Sequence, residues 1–358
     1  MAAPRHAAGH HECTQRRSYR FDLNGFYQQN WCGLKSEAAL GEMVAACKRL
    51  NAFAVGGQET WRTGHEVYER DGYTFIGSAP KEQKSRRGSK GVSITLSHRA
   101  TSAWARAGRE QHVESDRLIA VRLIVRCGRR GTQYRRLKGI FLVSAYAPTS
   151  GHVASEHAAF YDGLGRLLAR AQPDDIVVVC LDGNCSIGRG SLGGDCTDGS
   201  TAADMVGPFG LDRLNAAGRR LRTFMETHRL ASLASFFRKP RYGTWIHPRT
   251  QVSHQLDHIL ISRAERGRCS DAGSCPFQLV NSDHCAVGCR LRFEAKLERK
   301  VDPRAKLLKL DTSSLYEKEH QRAFAARVVE RVHVASSSAC ANCTLQVASN
   351  GTVRLSLS

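Results

Sequence analysis

Glu59, Tyr146, Asp182, Asn184, Asp257 and the tripeptide Ser282-Asp283-His284 each stand at or beside the end of a short apolar run. Glu59 follows Ala52–Gly57, Tyr146 lies in Ser144-Ala-Tyr-Ala-Pro-Thr149, and Asp182 and Asn184 follow Ile176–Leu181. Asp257 interrupts Gln255-Leu-Asp-His-Ile-Leu260, and His284 immediately precedes the last run. Carboxylate and amide oxygens of this kind are what a hard cation such as Mg2+ selects, and an Asp near a His orients and charges an imidazole. Taken singly, each has a plainer reading. A Gln-Glu-Thr or Asp-His is most often surface loop, Asn184 can serve a turn, Tyr146 can belong to the core and Asp257 can cap a turn. The case rests on their joint placement at five strand ends. Together, a metal, carboxylates and an imidazole can supply an activated water, a charge sink and fixed geometry to a reacting centre.

The elements that would position them follow from apolar periodicity. Glu37–Leu50 places Leu40, Met43, Val44, Cys47 and Leu50 at helical spacing, ahead of a buried strand over Ala52–Gly57. Gly91–Ser97, Leu118–Cys127, Gly139–Tyr146, Ile176–Leu181, Gln255–Ser262 and Cys285–Leu291, rich in Val, Ile and Leu, read as further strands. His152–Ala171 and Ala216–His228 read as helices, while Lys81–Lys90 and Gly188–Ser200 read as loops. Several strands succeed one another without helices between them, which excludes a simple alternating βαβ order. The pattern predicts an α/β protein of mixed sheets packed face to face, with helices outside. Domain expectations are a disordered basic N-terminus over 1–17, one catalytic-type domain over 18–293, and a charged linker with one helix and a flexible tail over 294–358.

The 358 residues carry 53 Lys and Arg against 33 Asp and Glu, a formal charge of +20. Such an excess calls for a polyanionic partner, nucleic acid first and an anionic membrane surface second, although a compositional bias toward Arg accounts for part of it. The basic residues cluster: Lys84, Arg86, Arg87 and Lys90; Arg129 to Lys138; Arg238, Lys239 and Arg241. No uncharged apolar run approaches the roughly 18 residues of a membrane span, and no secretory leader is visible, so an intracellular protein is expected. The 13 cysteines form no paired zinc-binding pattern, and free thiols are expected, including Cys269, Cys275, Cys285 and Cys289.

In order along the chain, Gln58-Glu59-Thr60, Tyr146-Ala-Pro148, Asp182-Gly-Asn184, Gln255–Leu260 and Ser282-Asp283-His284 resemble the endonuclease/exonuclease/phosphatase superfamily. Within it, the likeness is to the apurinic-type endonuclease domain of non-LTR (LINE-type) retrotransposons, a domain also carried by craniofacial development protein 2-like proteins. Gly207–Leu221, Phe236–Pro240 and Thr244–Pro248 are similar as well, and the likeness runs from about Ser18 to Phe293. Two departures stand out. The first motif is degenerate, with Asn30 preferred over Asn24, and Leu181-Asp-Gly-Asn184 replaces the family's Gly-Asp-Phe-Asn.

The resemblance implies a four-layer α/β/β/α sandwich and a Mg2+-dependent DNA endonuclease, with Mn2+ as a substitute ion. It assigns the metal to Glu59, Asp283 and Asn30, and catalysis to Asp182, Asn184, His284, Asp257 and Tyr146. Arg87, Lys90, Thr244 and Trp245 are the expected DNA contacts, although packing of the Trp245 loop onto the body is the plainer role for that ring. The implied partner is DNA, with no membrane and no identifiable protein partner, and the implied compartment is the nucleus. A catalytically inactive DNA-binding relative, or a phosphatase for small esters, is the alternative.

Overall fold

A computed structural model describes residues 17–83, 88–127, 136–190, 204–297, 322–323, 326–327, 343–347 and 353–357. The expected N-terminal tail, Arg87 and most of the expected C-terminal helix lie outside these residues. Residues through Glu298 form one compact unit and 299–358 a second. In the second, Cys343–Val347 pairs antiparallel with Val353–Leu357.

The first unit holds two large sheets. One has seven strands in the order β14 (Cys269–Ser274), β15 (Val287–Leu297), β1 (Arg17–Asn30), β2 (Ala54–Gln58), β5 (Val92–Ser97), β4 (Tyr73–Ser78), β3 (His65–Arg70). The other has six: β10 (Leu230–Ser232), β13 (Asp257–Ser262), β9 (Ile176–Asp182), β8 (Arg136–Tyr146), β7 (Leu118–Cys127), β6 (Gln111–Ser115). A short hairpin, β11 (Trp245–Ile246) with β12 (Ser253–His254), stands apart. Within the two large sheets β1–β2 and β8–β9 are parallel and the other pairings antiparallel, so both sheets are mixed.

Side-chain alternation explains the layering. On β8, Ile140 and Leu142 enter the core between the sheets, where they meet Phe26, Ala54, Ile94, Val178 and Ile259. Phe141 and Val143 point the other way, into a second core with Phe160, Leu164 and Leu167 of helix α3 (Ala154–Leu168) and Leu221, Phe224 and Met225 of helix α4 (Ala216–Thr227). On the far side of the first sheet, Leu40, Met43, Val44 and Cys47 of helix α1 (Glu37–Arg49) pack on Trp31, Val55 and Phe75. Helix α2 (His98–Arg106) follows β5 directly and sends Ala100, Ala103 and Trp104 into the inner core. The result is the α/β/β/α sandwich. Strands buried on both faces read as continuous apolar runs, which is why Ile176–Leu181 was legible; Leu118–Cys127 is buried on both faces over its first four residues and alternates thereafter.

Three elements carried weaker signals. β1 is polar and charged along much of its length and is broken by a bulge between Asn24 and Phe26, at Gly25 with φ +85°. The β3–β4 hairpin turns at Asp71-Gly72, both at positive φ. The last strand begins later and runs further than Cys285–Leu291, because it pairs with β1 as far as Arg17 opposite Leu297.

At β2 the sheets approach closely. A Cβ on Gly56 would lie 2.3 Å from the Cys180 Cβ of the opposite sheet. Gly56→Ala is therefore expected to cost about 1–3 kcal/mol or more, because the sheets must part along a packed seam. A thermal melt showing an unchanged midpoint would contradict this.

Candidate active site

Strand register brings the polar tips together. In the second sheet Asp182 pairs with Tyr146 on one side and Asp257 on the other, so three neighbouring strands set them in one row. In the first sheet Asn30 pairs with Gln58, which places Glu59 beside Asn30 at the parallel strand ends. The closing loop is pinned by Ser282, whose hydroxyl donates to the Asn30 carbonyl at 2.7 Å and accepts from the His284 N–H at 3.1 Å.

The side chains then interlock across the two sheets. Asn30 Nδ2 donates to Glu59 Oε1 at 2.8 Å and to Asp182 Oδ2 at 2.9 Å. The Tyr146 hydroxyl donates to Glu59 Oε1 at 2.8 Å, and Trp61 Nε1 donates to Oε2 at 3.1 Å. The Asn184 N–H caps Asp182 Oδ1 at 3.0 Å while its side-chain amide donates to the Ala147 carbonyl. His284 Nδ1 lies 2.8 Å from Asp257 Oδ2. Asp283 turns outward, its Oδ2 accepting from Trp245 Nε1 at 2.9 Å and its Oδ1 from the Cys32 thiol at 3.0 Å. Cys32, Glu59, Trp61 and Asn184 all hold φ between 45° and 54°. Left-handed backbone at four non-glycine residues around one cleft is strain of the kind that collects at functional sites.

The electrostatics follow from burial and neighbours. Burial and the adjacent Asp257 push the Asp182 carboxyl well above the usual carboxylate range, against the opposing pull of His284 and the Asn30 amide. Burial alone would lower His284, but the Asp257 carboxylate outweighs it and lifts the imidazole to about 10. It is therefore a cation at neutral pH. Burial, then the Glu59 and Asp182 charges, hold the Tyr146 phenol protonated. For Asp283 burial works upward, but the bonds from Cys32 and Trp245 and the charge of His284 carry its carboxyl below the usual value.

The donor set fits a hard cation. Glu59 is bonded only by neutral donors, the Asn30 amide, Tyr146 and Trp61, so no protein cation meets its charge in these contacts, while Asp182, bonded by the Asn30 amide and the Asn184 N–H, also feels the nearby His284 imidazolium. An oxygen each of Asp182 and Asp257 and a nitrogen of His284 lie within 4.8 Å of one another, but a His284 held cationic by Asp257 has no lone pair to give a metal. This close grouping differs from the expected Glu59, Asp283 and Asn30 set. Asn30 turns its nitrogen to the carboxylates, and its Oδ1 accepts from the Cys32 N–H at 3.0 Å.

Of the expected DNA contacts, Trp245 is partly exposed beside His284, with ring centroids 6.4 Å apart. Lys90 pairs with Asp116 at 3.1 Å. Thr244 corrects the expectation: it is 1% exposed, and its hydroxyl accepts from the N–H groups of Leu256 and Asp257. A threonine spent on holding the Asp257 strand has no face for DNA. Gln28, Cys32 and Trp61 were not expected at the site. Gln28 and Cys32 carry no sequence signal of their own, while Trp61 stands two residues past Glu59. Cys32, Cys47, Cys127, Cys180, Cys185, Cys269, Cys275, Cys285 and Cys289 are free thiols, and among the described residues no helix is long and apolar enough to cross a membrane.

No family model matches the chain. It is 26% identical over 253 residues to craniofacial development protein 2 of Bos taurus, a match covering 70% of this chain and 38% of that protein. The chain thus spans well under half the length of the curated relative it matches. Among solved structures it aligns with the AP endonuclease LMAP from Leishmania major at TM-score 0.51 and 15% identity, covering 77% of this chain and 88% of that one. It also aligns with a 3′-5′ exonuclease (NExo) from Neisseria meningitidis at TM-score 0.50 and 13% identity, covering 76% and 99%. Two mixed sheets packed face to face, flanked by helices, give this chain the endonuclease/exonuclease/phosphatase fold, with the sequence resemblance to match.

Proposed function

We propose that the protein is a Mg2+-dependent endonuclease that hydrolyses a DNA phosphodiester and leaves a 3′ hydroxyl, a retroelement-derived activity used in the nucleus. One observation carries the reading: Glu59, Asp182, Asn184, Tyr146 and the Asp257–His284 pair meet in one cluster at strand ends of both sheets. The coarser conclusion, a phosphoesterase of the nuclease kind, is supported by the fold it shares with nucleases. The +20 charge favours a polyanionic substrate over a small ester. The retroelement origin rests on the sequence resemblance.

When bound, Mg2+ or Mn2+ supplies charge neutralisation at the scissile phosphate and the leaving oxygen; Glu59 would hold it, with Asp283 and Asn30 in its surroundings. Asp182, whose proton affinity is raised by burial, takes the proton of the attacking water. The water oxygen bonds to phosphorus, the bond to the 3′ oxygen breaks, and that oxygen leaves protonated by solvent. Asn184 keeps Asp182 aimed through its backbone N–H. His284, held cationic by Asp257, donates to a phosphate oxygen, and Tyr146 fixes Glu59. Trp245 and Lys90 flank the strand.

Supercoiled plasmid tests this directly. Wild type should nick it in Mg2+ and not in EDTA, and Glu59→Ala should lose Mg2+-dependent nicking while still binding DNA. Binding should weaken steeply between low and moderate salt as phosphate contacts lose their counterion-release advantage. Binding without nicking would indicate an inactive relative, and turnover of small phosphate esters alone would indicate a phosphatase.

A further inference from the structure

Behind the cleft a seam of fully buried polar side chains joins the two sheets. Gln28 on β1 donates through Nε2 to Asp257 Oδ1 and to Gln58 Oε1, each at 2.8 Å. Gln58 in turn donates to Ser144 Oγ and to the Cys180 carbonyl, each at 3.2 Å, and Ser144 donates to the Gly57 carbonyl at 3.0 Å. Gln28, Gln58, Ser144 and Asp257 are all 0% exposed.

Asp257 has two oxygens and one catalytic task. Oδ2 takes His284; Oδ1 takes Gln28. Without the second bond the carboxylate could rotate about its terminal torsion, which is broad for Asp, and the imidazole would lose its fixed direction. Stability alone does not account for Gln28. Gln28 Oε1 is buried with no partner, and a buried carbonyl left unpaired is unfavourable. An apolar side chain at position 28 would remove that cost, yet it would release Asp257 Oδ1. A glutamine kept there against its own desolvation points to the bond it makes.

We infer that Gln28 is a positioning residue for the hydrolytic centre, its buried amide locking Asp257 so that the carboxylate presents one oxygen squarely to His284. The inference rests on the endonuclease reading for its kinetic consequence, but the geometry it describes exists without substrate. Gln28 and Asp257 are 229 residues apart and belong to different sheets; the contact arises only because the inner faces of β1 and β13 oppose each other.

Gln28→Met keeps the length of the side chain and removes the donor. Gln28→Asn keeps an amide and withdraws it by one methylene. Single-turnover nicking should fall about 10- to 100-fold in both, the range seen when a supporting partner of a catalytic group is lost, while DNA affinity stays at the wild-type value. In an Asp257→Asn background the same changes should have almost no further effect, because coupled residues do not add. Equal losses in both backgrounds, or wild-type rates in the single variants, would overturn the proposal. Proton NMR of the full chain supplies a substrate-free reading: the low-field resonance of the His284 Nδ1 proton should shift or broaden in Gln28→Met. If it stays at the wild-type position the proposal fails, even for a chain that nicks nothing. If it moves in a chain without nuclease activity, the positioning stands and the endonuclease reading alone falls.

Discussion

Replacing Asp182 with Asn should slow plasmid nicking by roughly 10^2- to 10^4-fold, the span associated with loss of a positioned general base. The reason lies in what the carboxylate does and what surrounds it. Asp182 is fully buried, receives the Asn30 amide at 2.9 Å and the Asn184 N–H at 3.0 Å, and sits beside Asp257 in adjacent strands. Burial and that neighbour raise its proton affinity, which suits a base working near neutral pH. An asparagine fills the same volume but accepts no proton. It also sets an N–H₂ against one of the two donors. DNA affinity should be retained, because the change removes negative charge from a site facing phosphate. Single-turnover nicking read beside fluorescence anisotropy with labelled duplex separates the two, and a rate within tenfold of wild type would remove Asp182 from the chemistry.

His284→Ala carries the second large effect, on both stability and rate. The imidazolium is bonded to an Asp257 carboxylate that is 0% exposed. Removing one member of a buried charged pair leaves the other uncompensated, at a cost of about 3–5 kcal/mol. Nicking should fall by about 10^2- to 10^3-fold, as when a preorganised donor to a transition-state oxyanion is lost. The pH dependence gives an independent check. Because the folded protein holds His284 protonated up to about 10 while the unfolded chain releases that proton near 6.5, folding binds a proton between those values. The stabilisation is complete below pH 6.5 and is lost as pH rises toward 10. In EDTA the melting temperature of wild type should therefore exceed that of His284→Ala by most in mildly acidic buffer, and the gap should close in alkaline buffer. A gap that widens with pH would show that the pair is held in another charge state.

The apolar strands and helices, the mixed packed sheets and most of the polar tips were legible in the sequence, because those features are local. Period-3.6 spacing defines α1, a continuous Ile and Val run marks β9 as buried on both faces, and Val, Ile and Leu broken by Arg122 and Arg126 mark β7. A carboxylate at the end of such a run is visible as a departure from it. β1 was missed because a charged strand with a bulge has no period to read, and its burial comes from β15 and β2 on either side.

What the chain by itself determined was the set of side chains on offer: oxygen donors, an Asp–His couple and a charge of +20. Tertiary structure decided who holds whom. Register set Tyr146, Asp182 and Asp257 in one row, turned Asn30 into a bridge between two carboxylates, withdrew Thr244 from the surface, and placed Gln28 against Asp257 from the opposite sheet. Hydrogen bonds reach about 3 Å and are directional, so partners 229 residues apart are chosen only when two sheets have packed.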